Sequence, residues 1–455
     1  MARQKIQVLV VDDSPVDREL LIEIIQAEAD FQVAGQAADA YEAREKIRTL
    51  SPDVVTLDVS MPGMDGIKFL RNLMRLRPTP VVMISVATGE GAQVTLEALE
   101  IGAVDFVTKP GASGRSFDEY RREVVSKVRM AAYARVTPYQ RPETSGGGGT
   151  DTVTGTGRGA GDVADAPPER GPRRRPLAEV VPHPAMVAAA SAAAAGATEP
   201  VADDTGRDAD ATAAASAAAT ADSPATDAHR AERHRPLHRG RAARVDLIAI
   251  GASTGGVGAI ERVLAALPID GLPPVVITQH IPSGFSESFA QRLDGQLELK
   301  VQQAVDGMPV VAGHVYIAPG GHQFSIERIA EGYVCRVTRE PRVNLHRPSV
   351  QVLFQSVARQ AGARAIGVML TGMGADGAQG LLEMRRAGAY NIVQDEQSSV
   401  VWGMPGAAAK MGAANEVLPL DEIPRAIAEL IGAERGSLKR RLARRRSTRG
   451  HKPLE

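Results

Sequence analysis

The sequence predicts an α/β protein made of two doubly wound parallel-sheet domains joined by a long disordered linker. Three observations point there. Short β-branched apolar runs alternate with amphipathic stretches of helical period over residues 1–132 and again over 244–432. Between them, 133–243 turn to Gly, Ala, Pro, Ser, Thr, Asp and Arg. The 455 residues also exceed what one hydrophobic core usually organises.

In the first domain, apolar runs at 8–11, 33–35, 54–57, 81–84 and 105–107 read as strands. Helical stretches fall at 15–28, 39–48, 66–75, 91–101 and 117–133. Strands this apolar on both faces belong in a parallel sheet covered by helices on each side.

The central segment carries the glycine run 146–149 and the alanine run 188–195, with no Phe, Trp or Tyr after Tyr139. Such a chain cannot bury enough apolar surface to offset its conformational entropy, so disorder is expected. A partly helical alanine segment at 186–196 is the alternative.

Order returns with apolar runs at 245–250, 275–279, 299–302, 315–317, 334–338, 365–370 and 391–393, separated by helical segments such as 257–267. Cys335 lies in the alternating run Tyr333-Val334-Cys335-Arg336-Val337 of a half-buried strand, so a packing role is expected, not a nucleophilic one. Residues 433–455 form a basic tail, with clusters at 439–441 and 444–446. It reads as a solvated end, or as a surface for an acidic membrane or receptor partner.

Composition excludes several classes. A formal net charge of -1 gives no global attraction to nucleic acid. A single cysteine allows no internal disulfide and indicates no oxidising compartment. Met1 leads directly into an apolar strand without a signal-peptide pattern, and the run 186–197 is too short and too alanine-rich to span a bilayer. A cytoplasmic location without membrane insertion is expected.

Ligands of doubly wound sheets bind beyond the carboxyl ends of the strands, so polar residues that follow apolar runs are candidates. Asp12 and Asp13 follow the first run, Asp58 the third, Ser85 the fourth and Lys109 the fifth. Three carboxylates at one rim repel unless a hard cation lies among them, which points to Mg²⁺ held by Asp12, Asp13 and Asp58. Asp58 is then a nucleophile toward a phosphodonor, with Lys109 neutralising charge and the Ser85 hydroxyl reaching the phosphoryl oxygens.

With Leu57-Asp58-Val59, Met61-Pro62-Gly63-Met64-Asp65-Gly66 and Val107-Thr108-Lys109-Pro110, this stretch resembles a response-regulator receiver domain. The resemblance covers about 130 residues. It implies that Asp58 is the phosphoacceptor, fed by a sensor histidine kinase, and that Phe106 is the aromatic that reorients on switching.

In the second domain, Gly251-Ala252-Ser253-Thr254-Gly255-Gly256 joins a strand to a helix, matching the nucleophile-elbow pattern G-x-S-x-G. A dinucleotide site is the rival. It would put the Ser253 side chain where the backbone must approach a pyrophosphate, and the next strand ends in Gln279-His280 with no acidic ribose ligand. His280 ends the neighbouring run, and Asp376 lies in the glycine-rich turn Thr371-Gly372-Met373-Gly374-Ala375-Asp376-Gly377.

These are the parts of a serine hydrolase: Ser253 attacks, His280 shuttles the proton, and Asp376 steadies the imidazolium. Backbone N–H groups near Thr254 and Met373 are candidates for an oxyanion hole, and no cofactor is expected for this domain. The bland readings are a buried, satisfied His280 and an Asp376 that caps a helix. The order Ser, His, Asp differs from that of the α/β-hydrolases.

Residues 244–432 resemble the catalytic domain of the chemotaxis protein-glutamate methylesterases. Besides the blocks above, the resemblance rests on Gln279-His280-Ile281-Pro282, Tyr316-Ile317-Ala318-Pro319-Gly320-Gly321, His346-Arg347-Pro348-Ser349-Val350, Gln394-Asp395-Glu396 and Val400-Val401-Trp402-Gly403-Met404-Pro405-Gly406-Ala407. It implies a flavodoxin-like receiver followed by a larger Rossmann-like three-layer α/β domain. It further implies hydrolysis of glutamyl methyl esters on methyl-accepting chemotaxis receptors with release of methanol, and deamidation of receptor glutamines. The unphosphorylated receiver would cover the esterase cleft.

Two features depart from the family pattern. Gln351 stands where Asp is common, and the linker is longer than usual. A flexible segment of roughly 105 residues has ends about 50–60 Å apart on average, so docking cannot rely on a short tether. Two other readings remain open at this point: an adaptor whose hydrolase domain has lost activity, and the same esterase serving receptors of a non-swimming pathway.

Overall fold

The computed structural model describes residues 5–59, 61, 66–85, 89–110, 116–138 and 245–432. Most of the expected linker, its alanine run, the basic tail and the motif residues Pro62, Gly63, Met64 and Asp65 lie outside the described residues.

The first domain runs β1 (Ile6–Val11), α1 (Pro15–Gln26), β2 (Phe31–Ala37), α2 (Ala40–Leu50), β3 (Val54–Asp58), α3 (Gly66–Leu76), β4 (Val81–Ser85), α4 (Gly89–Ile101), β5 (Asp105–Thr108) and α5 (Phe117–Ala131). Its strands form one parallel sheet in the order β2-β1-β3-β4-β5. The expected five strands and five helices are all present. β3 and β4 are buried along their whole length, mostly by Val, Leu, Met and Ile, with Thr56 and the strand-end residues Asp58 and Ser85 as the buried polar exceptions. The helices start where polar caps stop the strands: the Ser14 hydroxyl accepts from Asp17 N–H ahead of Pro15, and Ser116 forms a capping box with Glu119.

The second domain is built on a seven-stranded parallel sheet. In chain order it contains β6 (Leu247–Ala252), α6 (Gly256–Ala266), β7 (Val275–Gln279), α7 (Phe285–Gln296), β8 (Lys300–Gln303), β9 (Pro309–Val310), β10 (His314–Ile317), β11 (Gln323–Ile329), β12 (Gly332–Thr338), α8 (Val350–Gln360), β13 (Ala365–Met369), α9 (Ala378–Arg386), β14 (Tyr390–Gln394), α10 (Met404–Lys410), β15 (Glu416–Leu418) and α11 (Ile423–Leu430). The sheet order is β15-β14-β13-β6-β7-β10-β8. β6 therefore lies between β13 and β7, and the turns that carry Ser253, Asp376 and His280 leave three adjacent strand ends. α8 packs beneath them with Leu353, Phe354 and Val357 fully buried, each contributing about 1.5–3 kcal/mol through burial.

The run 334–338 does not join this sheet. It belongs to β12, which pairs antiparallel with β11 and β9 in a separate three-stranded sheet. Alternating burial marks a strand, but it does not say which sheet the strand will join. β11 was not anticipated, because its sequence Gln-Phe-Ser-Ile-Glu-Arg-Ile mixes charge with apolar residues; β9 and β15 are only two and three residues long. The two α/β domains pack together as part of one compact unit.

Candidate active sites

The turn after β6 is shaped by what enters it. The Gln279 side chain donates to Ser253 O at 2.8 Å, and a Cβ at Gly256 would stand 2.1 Å from Gln279 Oε1. Glycine here admits an amide, and no pyrophosphate could share the space. Gly372 plays the same part in the facing turn: a Cβ there would lie 2.8 Å from that of Ser253. The two glycine-rich turns thus touch, tied further by Ser253 N–H donating to Thr371 O at 3.0 Å.

Ser253 Oγ lies 3.1 Å from His280 Nδ1, and His280 Nε2 lies 2.8 Å from Asp376 Oδ2. Asp376 is buried to 3 % exposure, and its carboxylate also accepts from Asn344 Nδ2 (2.8 Å), Ser349 Oγ (2.8 Å) and Val350 N–H (2.7 Å). Burial alone would raise this carboxyl, but the hydrogen bonds from His280 and Asn344 hold it down at about 2. An ionised Asp376 can only accept, so His280 carries its proton on Nε2 and offers Nδ1 as acceptor for the Ser253 hydroxyl. The ring is turned relative to the trypsin-like arrangement, in which Nε2 faces the serine.

A second imidazole completes the site. His346 stacks on His280 with centroids 3.7 Å apart and planes 10° from parallel. Burial, the largest cause, pushes His346 down to about 3, so it stays neutral at physiological pH. Sequence reasoning gave no role to His346, Asn344, Ser349 or the Gln279 side chain. The block His346-Arg347-Pro348-Ser349-Val350 was visible, but its contacts depend on a loop returning across the sheet.

At the other centre, β1, β3, β4 and β5 bring Asp12, Asp58, Ser85 and Lys109 to one rim. Lys109 Nζ contacts Asp12 (3.0 Å), Asp58 (2.9 Å) and Asp17 (2.9 Å). Asp17, in the first turn of α1, was not foreseen. Burial would lower Lys109, but these carboxylates raise it above its ordinary value. The Thr95 hydroxyl donates to Ser85 Oγ at 2.8 Å. Oxygens of Asp12, Asp13 and Asp58 lie within 4.8 Å of one another, and burial pushes the Asp12 carboxyl up against the pull of Lys109. Three close carboxylates, one of them disfavoured as a bare anion, suit a hard divalent cation.

The two centres are linked through β5. Thr254, next to Ser253, donates its hydroxyl to Asp105 Oδ2 at 2.5 Å. The Phe106 ring lies 4.7 Å from that of Phe285 on α7, and Lys127 Nζ sits 5.0 Å above the Phe106 ring. Ser126 Oγ lies 3.8 Å from Met373 Sδ. Arg292 pairs with Glu100, and Arg135 pairs with Glu396 at 2.9 Å while its N–H donates to Val400 O at 3.0 Å. Thr254 and Met373, both candidates for the oxyanion hole, thus lie where the receiver touches the catalytic domain.

Comparison with known proteins accords with this layout. The family descriptions CheB methylesterase and response regulator receiver domain match residues 248–427 and 8–119. The protein-glutamate methylesterase/protein-glutamine glutaminase 2 of Xanthomonas oryzae pv. oryzae is 45% identical over 419 residues, which is 92% of this chain and 95% of the relative. The chain belongs to the CheB methylesterase family. Another member, the protein-glutamate methylesterase/protein-glutamine glutaminase of Hydrogenovibrio crunogenus, is 42% identical over 94% of this chain and 99% of its own. The crystal structure of the Thermotoga maritima CheB methylesterase catalytic domain shares 34% identity, covers 42% of this chain and 100% of that one, and has a TM-score of 0.40.

Within the CheB methylesterase pattern, the departure at Gln351 has a local explanation. Its Oε1 accepts from Gly380 N–H at 2.8 Å, satisfying an otherwise unpaired donor in the first turn of α9. No helix among the described residues is long and apolar enough to cross a membrane.

Proposed function

We propose that this chain is a phosphorylation-controlled protein-glutamate methylesterase and glutaminase acting on methyl-accepting chemotaxis receptors in the cytoplasm. The observation that carries the reading is the continuous hydrogen-bonded line from Ser253 through His280 to Asp376.

Ser253 Oγ attacks the γ-carbonyl carbon of a glutamyl methyl ester while His280 Nδ1 takes its proton. The imidazolium so formed is steadied through Nε2 by ionised Asp376. Backbone N–H groups near Thr254 and Met373 face the developing oxyanion. Collapse breaks the acyl carbon–oxygen bond, and the His280 proton leaves with methoxide as methanol. Water, deprotonated by His280, then attacks the acyl-serine and frees glutamate. A glutamine side chain follows the same course with ammonia as the leaving group. Neutral His346 against the ring adds no competing positive charge.

In the receiver, Asp58 Oδ attacks the phosphorus of a kinase phosphohistidine, forming a P–O bond as the P–N bond breaks. Asp12, Asp13 and Asp58 would hold Mg²⁺, which when bound neutralises their mutual repulsion and the incoming phosphoryl oxygens. Lys109 balances the remaining charge, and Ser85 offers its hydroxyl to the phosphoryl group. Unphosphorylated, the receiver rests against Thr254 and Phe285. Modification draws on Lys109 and Ser85, two strand ends that flank Phe106, and shifts the docking equilibrium toward an open enzyme.

A catalytically silent adaptor is disfavoured, because the three hydrolytic groups are all retained at bonding distance. The test is methanol release from methylated receptor membranes with and without a small phosphodonor. Ser253→Ala should lower the rate by about 10³-fold or more, and Asp58→Asn should abolish stimulation by the donor. Wild-type release from Ser253→Ala would remove the nucleophile assignment, and a donor without effect on the intact enzyme would remove receiver control.

A further inference from the structure

Between β12 and α8 the chain forms a tight hairpin whose two sides face different tasks. Val343 and His346 exchange both backbone hydrogen bonds, at 3.1 and 2.9 Å, around Asn344 and Leu345. The turn residues have φ of 51° and 69°, the sign required at both central positions of a type I′ turn. Asn tolerates this; Leu ordinarily yields the second position to Gly, because its Cβ meets the following carbonyl. The inner side of the hairpin serves the triad through Asn344 on Asp376 and His346 on His280.

The outer side is unexplained by that duty. Leu345 is 77 % exposed, in a conformation that disfavours a side chain, a few residues from the reacting groups. Strain of this kind gathers at functional sites. Over 339–347 there are three arginines against one acid, Glu340, and none of the four is ion-paired among the described residues. Arg339 and Arg342 are exposed, Arg339 donating to His322 Nε2 at 3.2 Å; Arg347 instead turns to the carbonyls of Arg339 and Glu340.

The chemistry of the substrate supplies the complement. Each turnover leaves a carboxylate on the substrate protein, so a surface with several such positions is acidic around the one that reacts. We propose that the 339–347 hairpin is a substrate-docking rim on which Arg339 and Arg342 pair with carboxylates flanking the reactive glutamyl side chain and Leu345 packs on an apolar neighbour. The proposal rests on the methylesterase reading and adds the recognition element to it. Charge at such a rim governs encounter and register.

The test uses full-length, donor-activated protein on three substrates: methylated receptor in membranes, a soluble methylated receptor fragment, and N-acetylglutamate γ-methyl ester. For the pair Arg339→Glu/Arg342→Glu, the ratio of receptor kcat/KM to small-ester kcat/KM should fall about tenfold, mostly through KM, and lose salt dependence. Leu345→Gly separates docking from folding. Glycine relieves the left-handed turn, so the thermal midpoint should hold or rise while the receptor KM rises. Equal losses on both kinds of substrate, or an unaltered ratio, would overturn the rim. A defect confined to membrane-embedded receptor would overturn it in favour of an anionic lipid surface. Wild-type protein that cleaves neither receptor nor small ester would overturn the esterase reading, and the rim with it.

Discussion

The Thr254 hydroxyl donates to the Asp105 carboxylate at 2.5 Å, so the residue beside Ser253 is held by the first residue of receiver strand β5. Asp105 is also paired with Lys127 at 2.9 Å, and Phe106 follows it into contact with Phe285. Losing a hydrogen bond to a charged group costs about 1.5–3 kcal/mol, about a tenfold or greater shift in a two-state docking equilibrium. Asp105→Ala, which leaves the Thr254 hydroxyl without this acceptor, should therefore raise methanol release by the unphosphorylated enzyme several-fold and shrink the stimulation by a phosphodonor. Unaltered basal and stimulated rates would show that this contact does not hold the closed state.

The Arg135–Glu396 pair lies just after α5 and joins the receiver to the catalytic domain. Both side chains are about a third or more exposed, at 31% and 40%, so the ion pair contributes no more than about 1 kcal/mol. Arg135→Ala should raise the basal rate by less than about fivefold, and high salt should erase the difference. A larger effect, insensitive to salt, would point to the bond that the same guanidinium donates to the Glu396 carbonyl.

His346 gives the site a pH signature. In the unfolded chain its imidazole titrates near 6.5; in the fold, where it faces His280, Asp376, Lys127 and Arg342, it is pushed down to about 3. The unfolded state therefore binds the proton first. The stability tied to a neutral His346 is complete above the unfolded value and is lost as pH falls from about 6.5 toward 3, by up to about 1.4 kcal/mol per unit. His346→Phe retains a stacking ring without a proton. Urea unfolding from pH 7.5 to 4.5 should show the wild type losing stability relative to this variant, and parallel curves would refute the assignment.

Burial holds the Asp12 carboxyl above its ordinary range even with Lys109 at 3.0 Å, so as an anion it weakens the fold at neutral pH unless a further cation joins it. Mg²⁺ at a hundredfold excess over its dissociation constant should stabilise the receiver by about 2.7 kcal/mol, seen as a rise in its unfolding midpoint that EDTA reverses. Asp12→Ala should abolish the rise. A metal-dependent shift of the same size in that variant would place the cation elsewhere.

Cys335 is fully buried in β12, and burial pushes its thiol up to about 12. Native protein should resist a thiol reagent over hours and react with one equivalent in denaturant. Rapid native labelling would contradict the packing role.

How legible all this is in the residues varies with range. β3 and β4 could be read directly, because strands buried on both faces are mostly Val, Leu, Met and Ile, and so could the polar residues that end each strand. Ser253, His280 and Asp376 could be nominated for the same reason. β11 could not be, since a hairpin strand with one wet face carries charge among its apolar residues. Nor could Asp17 or Asn344, ordinary polar residues in a helix turn and a loop until Lys109 and Asp376 arrive beside them.

Local pattern was enough for domain order, strand positions and the chemistry of the chosen side chains, because burial periodicity and turn composition act over a few residues. Which strands became neighbours, which ring nitrogen faced Ser253, and how Asp105 reached Thr254 were decided only by the folded chain. Those contacts join residues 27 to 149 positions apart, and pairing over such distances is set by the packing of whole sheets and domains, to which no short stretch of residues holds the key.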